Sequence, residues 1–304
     1  MAEPSLTPAL TASSSMGIVA ATAHHLGWDI AGACLLGPIA ENATVLLPCH
    51  RVVLRISAAP HHARAVRELR LARWLQAQGV PVIRPVGIEQ PLQPVWRGEP
   101  WTVSVWEEIP TPRPARAGVI GEVLRRLHQL ETPLSVDLPA LDPLEGIDGY
   151  LGEALLEPRE ILFLRRRLDF LRDAYTHLDF VRAPGPVHGD AHRKNIVQDT
   201  DGVPVLLDLE RFSIGAREWD LVVAAVYRRV GWYTEAEYRE FVDAYGWDVR
   251  DWSGFETLAA ARELRMTAWL CARTGREPRL LPEARRRIAS LQSRSAHKEW
   301  TPGT

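Results

Sequence analysis

The chain has 304 residues, 46% of them apolar and 24% charged, and a formal net charge of -2. That length can bury a full core in two lobes or two small domains, and the composition is that of an ordinary folded globular protein. The charge balance gives no electrostatic case for nucleic acid or an anionic membrane as partner. Cys34, Cys49 and Cys271 are isolated, which fits buried thiols in a reducing compartment. The first residues lack a basic and then apolar signal pattern, and the apolar run at 221–226 is too short to span a bilayer, so a cytoplasmic protein is expected.

Residues 1–14 are rich in Ser, Thr, Ala and Pro and read as a disordered tail. A short apolar helix is expected over 16–26, followed by strands over 28–36, 43–47 and 51–56. Residues 61–78 have helical periodicity, with Ala65, Leu69, Ala72 and Leu75 on one face and Gly79 where a C-cap belongs. Two further strands are expected over 82–87 and 100–109. The proline-dense stretch 110–116 marks a boundary. Beyond it the pattern turns helical, over 119–130 and 159–178. Asp199-Thr200-Asp201-Gly202 reads as a hairpin turn between strands at 196–197 and 203–207. From Trp219 helices dominate to about residue 292, and 294–304 reads as a loose tail. The fold class is α+β, with the strands first and one helix inserted after the third.

The chemistry concentrates in His188-Gly189-Asp190-Ala191-His192-Arg193-Lys194-Asn195. Asp190 and Asn195 lie five positions apart in a polar loop, and Asp208 ends an apolar run 13 residues beyond Asn195. One acid to orient a hydroxyl, plus an amide oxygen and a carboxylate to hold magnesium, is the minimal kit for phosphoryl transfer. Alone, Asp190 would read first as a turn cap, and it is the spacing to Asn195 and Asp208 that favours the catalytic reading. Magnesium takes few hard oxygen ligands from protein and fills the rest with water and phosphate, which Asn195 and Asp208 suit.

This spacing resembles the aminoglycoside phosphotransferase and choline kinase family. The resemblance implies a bilobal protein-kinase-like fold, with a β-rich, nucleotide-binding N-lobe over 15–109 and a mainly helical C-lobe over 110–304. It also implies that a strand cation holds the nucleotide phosphates and a helix glutamate orients that cation. Arg55 and Glu68 stand in those places, with arginine replacing the family's lysine. Asp208-Leu209-Glu210 likewise departs from the Asp-Phe-Gly of protein kinases. The resemblance puts the nucleotide under the turn 36–42, including Gly37 and Asn42, with its base at the strand end of Trp106, Glu107, Glu108 and Ile109. His192 occupies the place of a phosphate-touching lysine. Lys194 or Arg193 is expected to bring positive charge to the transferred phosphate; Lys194 and Lys298 are the chain's two lysines. His188 is expected to organise the loop, and Asp220 to brace it from beneath.

The expected activity is magnesium-dependent transfer of the γ-phosphate of ATP or GTP to a small hydroxylated acceptor. An antibiotic is the first choice of acceptor; a sugar, amino alcohol or other metabolite follows. A nucleotide-binding module with weak turnover is the rival reading. Residues 231–260 combine seven acids with eight large aromatic residues, Trp232 to Phe255. They read either as an acidic aromatic cleft for a cationic acceptor or as helices with acids in water and aromatics in the core. Glu210 and Glu263 are further candidate pocket acids.

Overall fold

The structure, a computed structural model, describes residues 10–39, 41–293 and 298–303. The chain divides into two compact units. One holds the chain up to Arg113 together with Pro133–Leu138 and Val197–Glu210; the other holds Pro114–Thr132, Pro139–Ile196 and the chain from Arg211.

In the first unit, α1 (Ala12–Leu26) begins inside the stretch expected to be a tail, because Thr11 and Ser14 close a reciprocal capping box there. Residues 1–9 lie outside the described residues. Five antiparallel strands follow: β1 (Cys34–Leu35), β2 (Ala43–Leu47), β3 (Val52–Ala58), β4 (Val95–Trp96) and β5 (Glu99–Glu107), in the order β1-β2-β3-β5-β4. Along β3 the side chains alternate, so Val52, Leu54 and Ile56 enter the core while Val53 and Arg55 take the other face. Ile18 and Val19 of α1 cover that core. Arg55 lies opposite Thr44 on β2 and Ser104 on β5. Between β3 and β4 runs α2 (His62–Ala77), which buries Leu69, Ala72 and Leu75 and, beside them, Glu68.

Two expected strands are corrected. Residues 82–87 make only bridges, Val82 with Leu206 and Pro85 with Trp106, because Pro81 and Pro85 lack the amide a ladder needs. Of 28–36 only β1 is strand. Ahead of it the Asp29 carboxylate accepts from the Ala31 amide, which turns the chain.

β6 (Arg113–Pro114) precedes the helical part, α3 (Ala117–Leu127), α4 (Ile147–Glu153) and α5 (Pro158–Thr176). Then come β7 (Gly185–Val187), β8 (Ile196–Gln198), β9 (Pro204–Leu206) and β10 (Ser213–Gly215), with α6 (Glu218–Arg229), α7 (Glu235–Tyr245), α8 (Phe255–Ala272) and α9 (Leu281–Gln292). The hairpin turn forms as expected, its Asp199 carboxylate accepting from the amides of Asp201 and Val203. β7 pairs antiparallel with β10 and so fixes the start of the loop that carries Asp190.

The tail is corrected in part. Residues 294–297 lie outside the described residues, but Lys298 to Gly303 pack on the helical unit. Lys298 pairs with Glu263, Trp300 is 5% exposed, and Arg287 donates to the Thr301 carbonyl at 2.6 Å. Among the described residues no helix is long and apolar enough to cross a membrane.

Helices α3 and α7 pack most closely at Gly121. A Cβ there would lie 2.5 Å from the Phe241 carbonyl oxygen and 3.1 Å from the Ala244 Cβ. Gly121→Ala should therefore lower unfolding free energy by about 2 kcal/mol despite alanine's better helix propensity, read as a lowered urea midpoint at unchanged slope.

Candidate active site

The first unit contains a cavity of about 630 Å³. Asn42, Arg55, Glu68, Trp106, Glu107, Ile109 and Asp208 all line it, so most of the residues expected to serve nucleotide meet in one place. Gly37 is not among the lining residues, though its φ of +77° makes the turn above β2. Leu36, Leu46, Val53, Ile83 and Leu207 supply an apolar wall. At the strand end the amides of Glu107 and Glu108 are already committed to the carbonyls of Arg84 and Arg51. Among the described residues the Ile109 amide has no protein acceptor.

Arg55 uses its planar fork twice. Nη1 donates to Glu68 Oε2 at 2.8 Å and Nη2 to Glu210 Oε2 at 2.9 Å, with Asp208 Oδ1 3.9 Å away. Burial opposes the charge of Arg55, but the three carboxylates outweigh it and raise its pKa. Burial likewise pushes the Glu68 carboxyl up, against the pull of Arg55. Arg64, one turn before Glu68, holds the other oxygen of Glu210 at 2.7 Å. Asp208 has φ +54°, a left-handed conformation rare outside glycine, which turns its half-exposed carboxylate out at the end of β9.

In the second unit the loop after β7 rests on Asp220, the third residue of α6. Its carboxylate is fully buried and accepts from the amides of His188 at 2.7 Å and Gly189 at 2.8 Å, and meets His128 Nε2 at 3.1 Å. Burial pushes this carboxyl up, but the bonds and charges of His128 and His188 override it and leave its pKa lowered. Gly189 cannot be replaced: its φ is +83°, and a Cβ would lie 2.5 Å from the Arg211 carbonyl oxygen. His188 Nδ1 accepts from the Asp190 amide at 3.2 Å, the organising role expected for it.

Asp190 itself is a quarter exposed. Its Oδ1 receives Arg262 Nη2 at 2.6 Å, and His192 Nε2 lies 3.6 Å from Oδ2. Burial raises this carboxyl, yet the guanidinium and His192 together hold it well below the usual carboxylate range. Asn195 is buried and donates from its amide nitrogen to the Asp190 carbonyl at 3.0 Å, which leaves Oδ1 as its donor atom for a cation. His192 stacks on Tyr227, and Arg193 is tied to Glu237 at 3.0 Å and lies over Tyr233. Lys194 is exposed.

Of the two readings of 231–260, the helical one holds. Tyr233, Tyr238, Phe241, Tyr245, Trp252 and Phe255 are buried. The acids meet arginines: Glu235 with Arg228, Glu237 with Arg193, Asp248 with Arg250 and Glu256 with Arg229. Glu263 is also no pocket acid, being buried between Lys298 and Arg229. Arg262 and Glu210 are the partners that sequence reasoning missed. One signal existed, since Arg262 and Glu263 interrupt an apolar helical run from Leu258 to Leu270.

Asp220→Ala strands two buried amides and should cost about 3 kcal/mol at neutral pH, read by urea unfolding. Because folding lowers its pKa, Asp220 contributes stability above the ordinary carboxylate range and loses it as pH falls through the folded value. The gap between wild type and variant should therefore narrow on acidification.

A family model described as the phosphotransferase enzyme family (APH) matches residues 40–264. A probable ketoamine kinase of Lactiplantibacillus plantarum is 34% identical over 89 residues, and the chain spans only 29% of that relative's length, with 29% of this chain aligned. Among solved structures, a microcompartment-associated aminopropanol kinase matches with a TM-score of 0.69 at 18% identity, over 90% of this chain and 94% of that one. An amicoumacin kinase solved with AMP-PNP, Ca2+ and Ami matches with a TM-score of 0.65 at 15% identity, over 89% of this chain and 91% of that one. At these identities the likeness is one of fold, the protein-kinase-like fold with a sheet-based N-lobe and a helical C-lobe. With a family model covering residues 40–264 on that fold, the chain belongs to the phosphotransferase enzyme family.

Proposed function

We propose that this protein is a magnesium-dependent O-phosphotransferase that moves the γ-phosphate of ATP or GTP to a hydroxyl of a small molecule. The observation that carries this reading is Asp190, ionised and held on both its main-chain and side-chain atoms, five residues before a buried Asn195 whose amide oxygen is left for a cation. In the reaction the acceptor oxygen bonds to the γ-phosphorus as the bond to the bridging oxygen breaks, releasing the nucleoside diphosphate. The hydroxyl proton passes to Asp190, which aligns the hydroxyl beforehand. Arg55, oriented by Glu68, grips the donor phosphates, and the apolar wall of the cavity takes the base, with the Ile109 amide as donor to it. His192 and Lys194 face the transferred phosphate in this reading, Lys194 as the exposed cation of the loop.

The donor set fits magnesium: one amide oxygen and one carboxylate, both hard, with phosphate and water left to complete the shell. Among the described residues no three His, Cys, Asp or Glu gather as a metal cage, and magnesium bound with nucleotide does not need one. When bound, the ion neutralises charge on the phosphate oxygens. Asn195 and Asp208 are its proposed protein ligands.

For the acceptor, the pairing of Glu235, Glu237, Asp248 and Glu256 with arginines leaves less free acid over 231–260 for a polycationic ligand. A neutral or singly charged hydroxylated metabolite, such as a sugar, ketoamine or amino alcohol, is the better fit, supported by the partial likeness to a ketoamine kinase. An antibiotic acceptor is the second reading, supported by the fold shared with an amicoumacin kinase. The protein is proposed to act in the cytoplasm, where its donor is made.

Turnover is to be assayed with ATP and GTP separately against ketoamines, amino sugars, choline, aminopropanol, aminoglycosides and macrolides. A product heavier by one phosphate names the acceptor. Asp190→Asn should cut that turnover about a thousandfold while still binding nucleotide. Arg55→Ala should mainly raise the nucleotide KM, by about tenfold. Unchanged turnover in Asp190→Asn would sink the assignment.

A further inference from the structure

Arg262 lies 72 positions from Asp190 in sequence, in the middle of α8, and is 5% exposed. Around it on that helix Ala261, Leu264 and Met266 are buried and apolar, while the buried Glu263 and Arg265 are turned to other partners, Lys298 and the carbonyls of Pro143 and Glu145. A guanidinium in such a place is costly unless a carboxylate meets it. The carboxylate it meets is Asp190, at 2.6 Å and on Oδ1 alone. Its second partner is the hydroxyl of Tyr227 on α6, a buried ring that in turn stacks on His192. The groups facing the Asp190 side chain are therefore Arg262 from α8, with Tyr227 behind it, and His192 from its own loop. Asp190's main chain is held separately, its amide by His188 and its carbonyl by Asn195. A turn-capping aspartate needs none of this.

We infer that Arg262 is a positioning residue for Asp190: by holding Oδ1 it makes Oδ2 the oxygen presented to the acceptor hydroxyl. This rests on the reading of Asp190 as the aligning acid. The buried pair stops the carboxylate from rotating, so the hydroxyl meets one oxygen in one orientation. A displacement of about 1 Å can cost a hundredfold in rate, which gives a rigid clamp its value. Tyr227 adds a second polar neighbour to the guanidinium, and His192, 3.6 Å from Oδ2, flanks that oxygen.

The test uses magnesium-dependent hydrolysis of ATP, with water in the acceptor's place, together with urea unfolding. Wild type, Arg262→Lys, Arg262→Met, Asp190→Asn and the double variant Arg262→Met with Asp190→Asn are compared. Positioning predicts that Arg262→Met lowers kcat about 30-fold while the KM for ATP stays within about twofold. Arg262→Lys, which keeps the charge but not the planar fork, should recover part of the rate. Adding Arg262→Met to Asp190→Asn should lower kcat no further, and its cost in unfolding should shrink in that background. A kcat within about twofold of wild type in both Arg262 variants overturns the inference, and so does an equal unfolding cost in both backgrounds. If Asp190→Asn leaves kcat unchanged, it is the role of Asp190 that fails, and the unfolding comparison still decides whether Arg262 is coupled to it. Should Arg262→Met not fold, Arg262→Lys carries the comparison of kcat with KM.

Discussion

A single fully buried carboxylate, Asp220, is what the helical unit is assembled on. Its oxygens take the amides of His188 and Gly189 and face the ring of His128, which also meets the Tyr245 hydroxyl. Four separate stretches of chain, in α3, the loop after β7, α6 and α7, are thereby tied to one charge. A buried ion is stable only if its hydrogen bonds are complete, so this arrangement tolerates little movement in any of them. The Trp219 indole adds a bond to the Gly189 carbonyl at 2.9 Å, clamping the glycine from both of its polar groups. Asp190 and Asn195 follow directly from this fixed point.

The sheet-based unit solves a similar problem with opposite signs. There the buried charge is a cation, Arg55, and carboxylates from α2 and from the turn after β9 converge on it. A lysine has one point of charge and would serve one carboxylate well. The flat guanidinium reaches Glu68 and Glu210 at once with two different nitrogens. Replacing lysine by arginine here has a structural counterpart, because its second partner, Glu210, is also the residue that departs from the Asp-Phe-Gly pattern. The two departures belong to one contact.

Much of this was readable in the sequence because it is local. Asp190, Asn195 and Asp208 fall within one stretch of loop and hairpin, and the strand and helix that carry Arg55 and Glu68 have clear periodicity. What escaped is what depends on distant partners. Arg262 comes to Asp190 from a helix 72 residues away, and no periodicity in α8 announces where each of its charged residues points. Residues 82–87 have strand-like composition, but two prolines without amides decide the matter. The short helix α4, seven residues entered through Gly146, is too brief to show a period. The acids of 231–260 read as a surface for cations in part because arginines that meet two of them lie elsewhere in the chain, Arg193 with Glu237 and Arg229 with Glu256.

The reliance on arginine leaves the molecule unusual as a chemical object. Of its two lysines, Lys298 is buried against Glu263, whereas Lys194 stands exposed between Arg193 and Asn195. Arginine does not react with the esters and anhydrides that acylate amines at neutral pH. The side-chain amine open to such reagents is therefore a single one, within the proposed catalytic loop. A fluorophore or spin label could be placed on that side chain without mutating the chain, with the α-amine as the other acylated group.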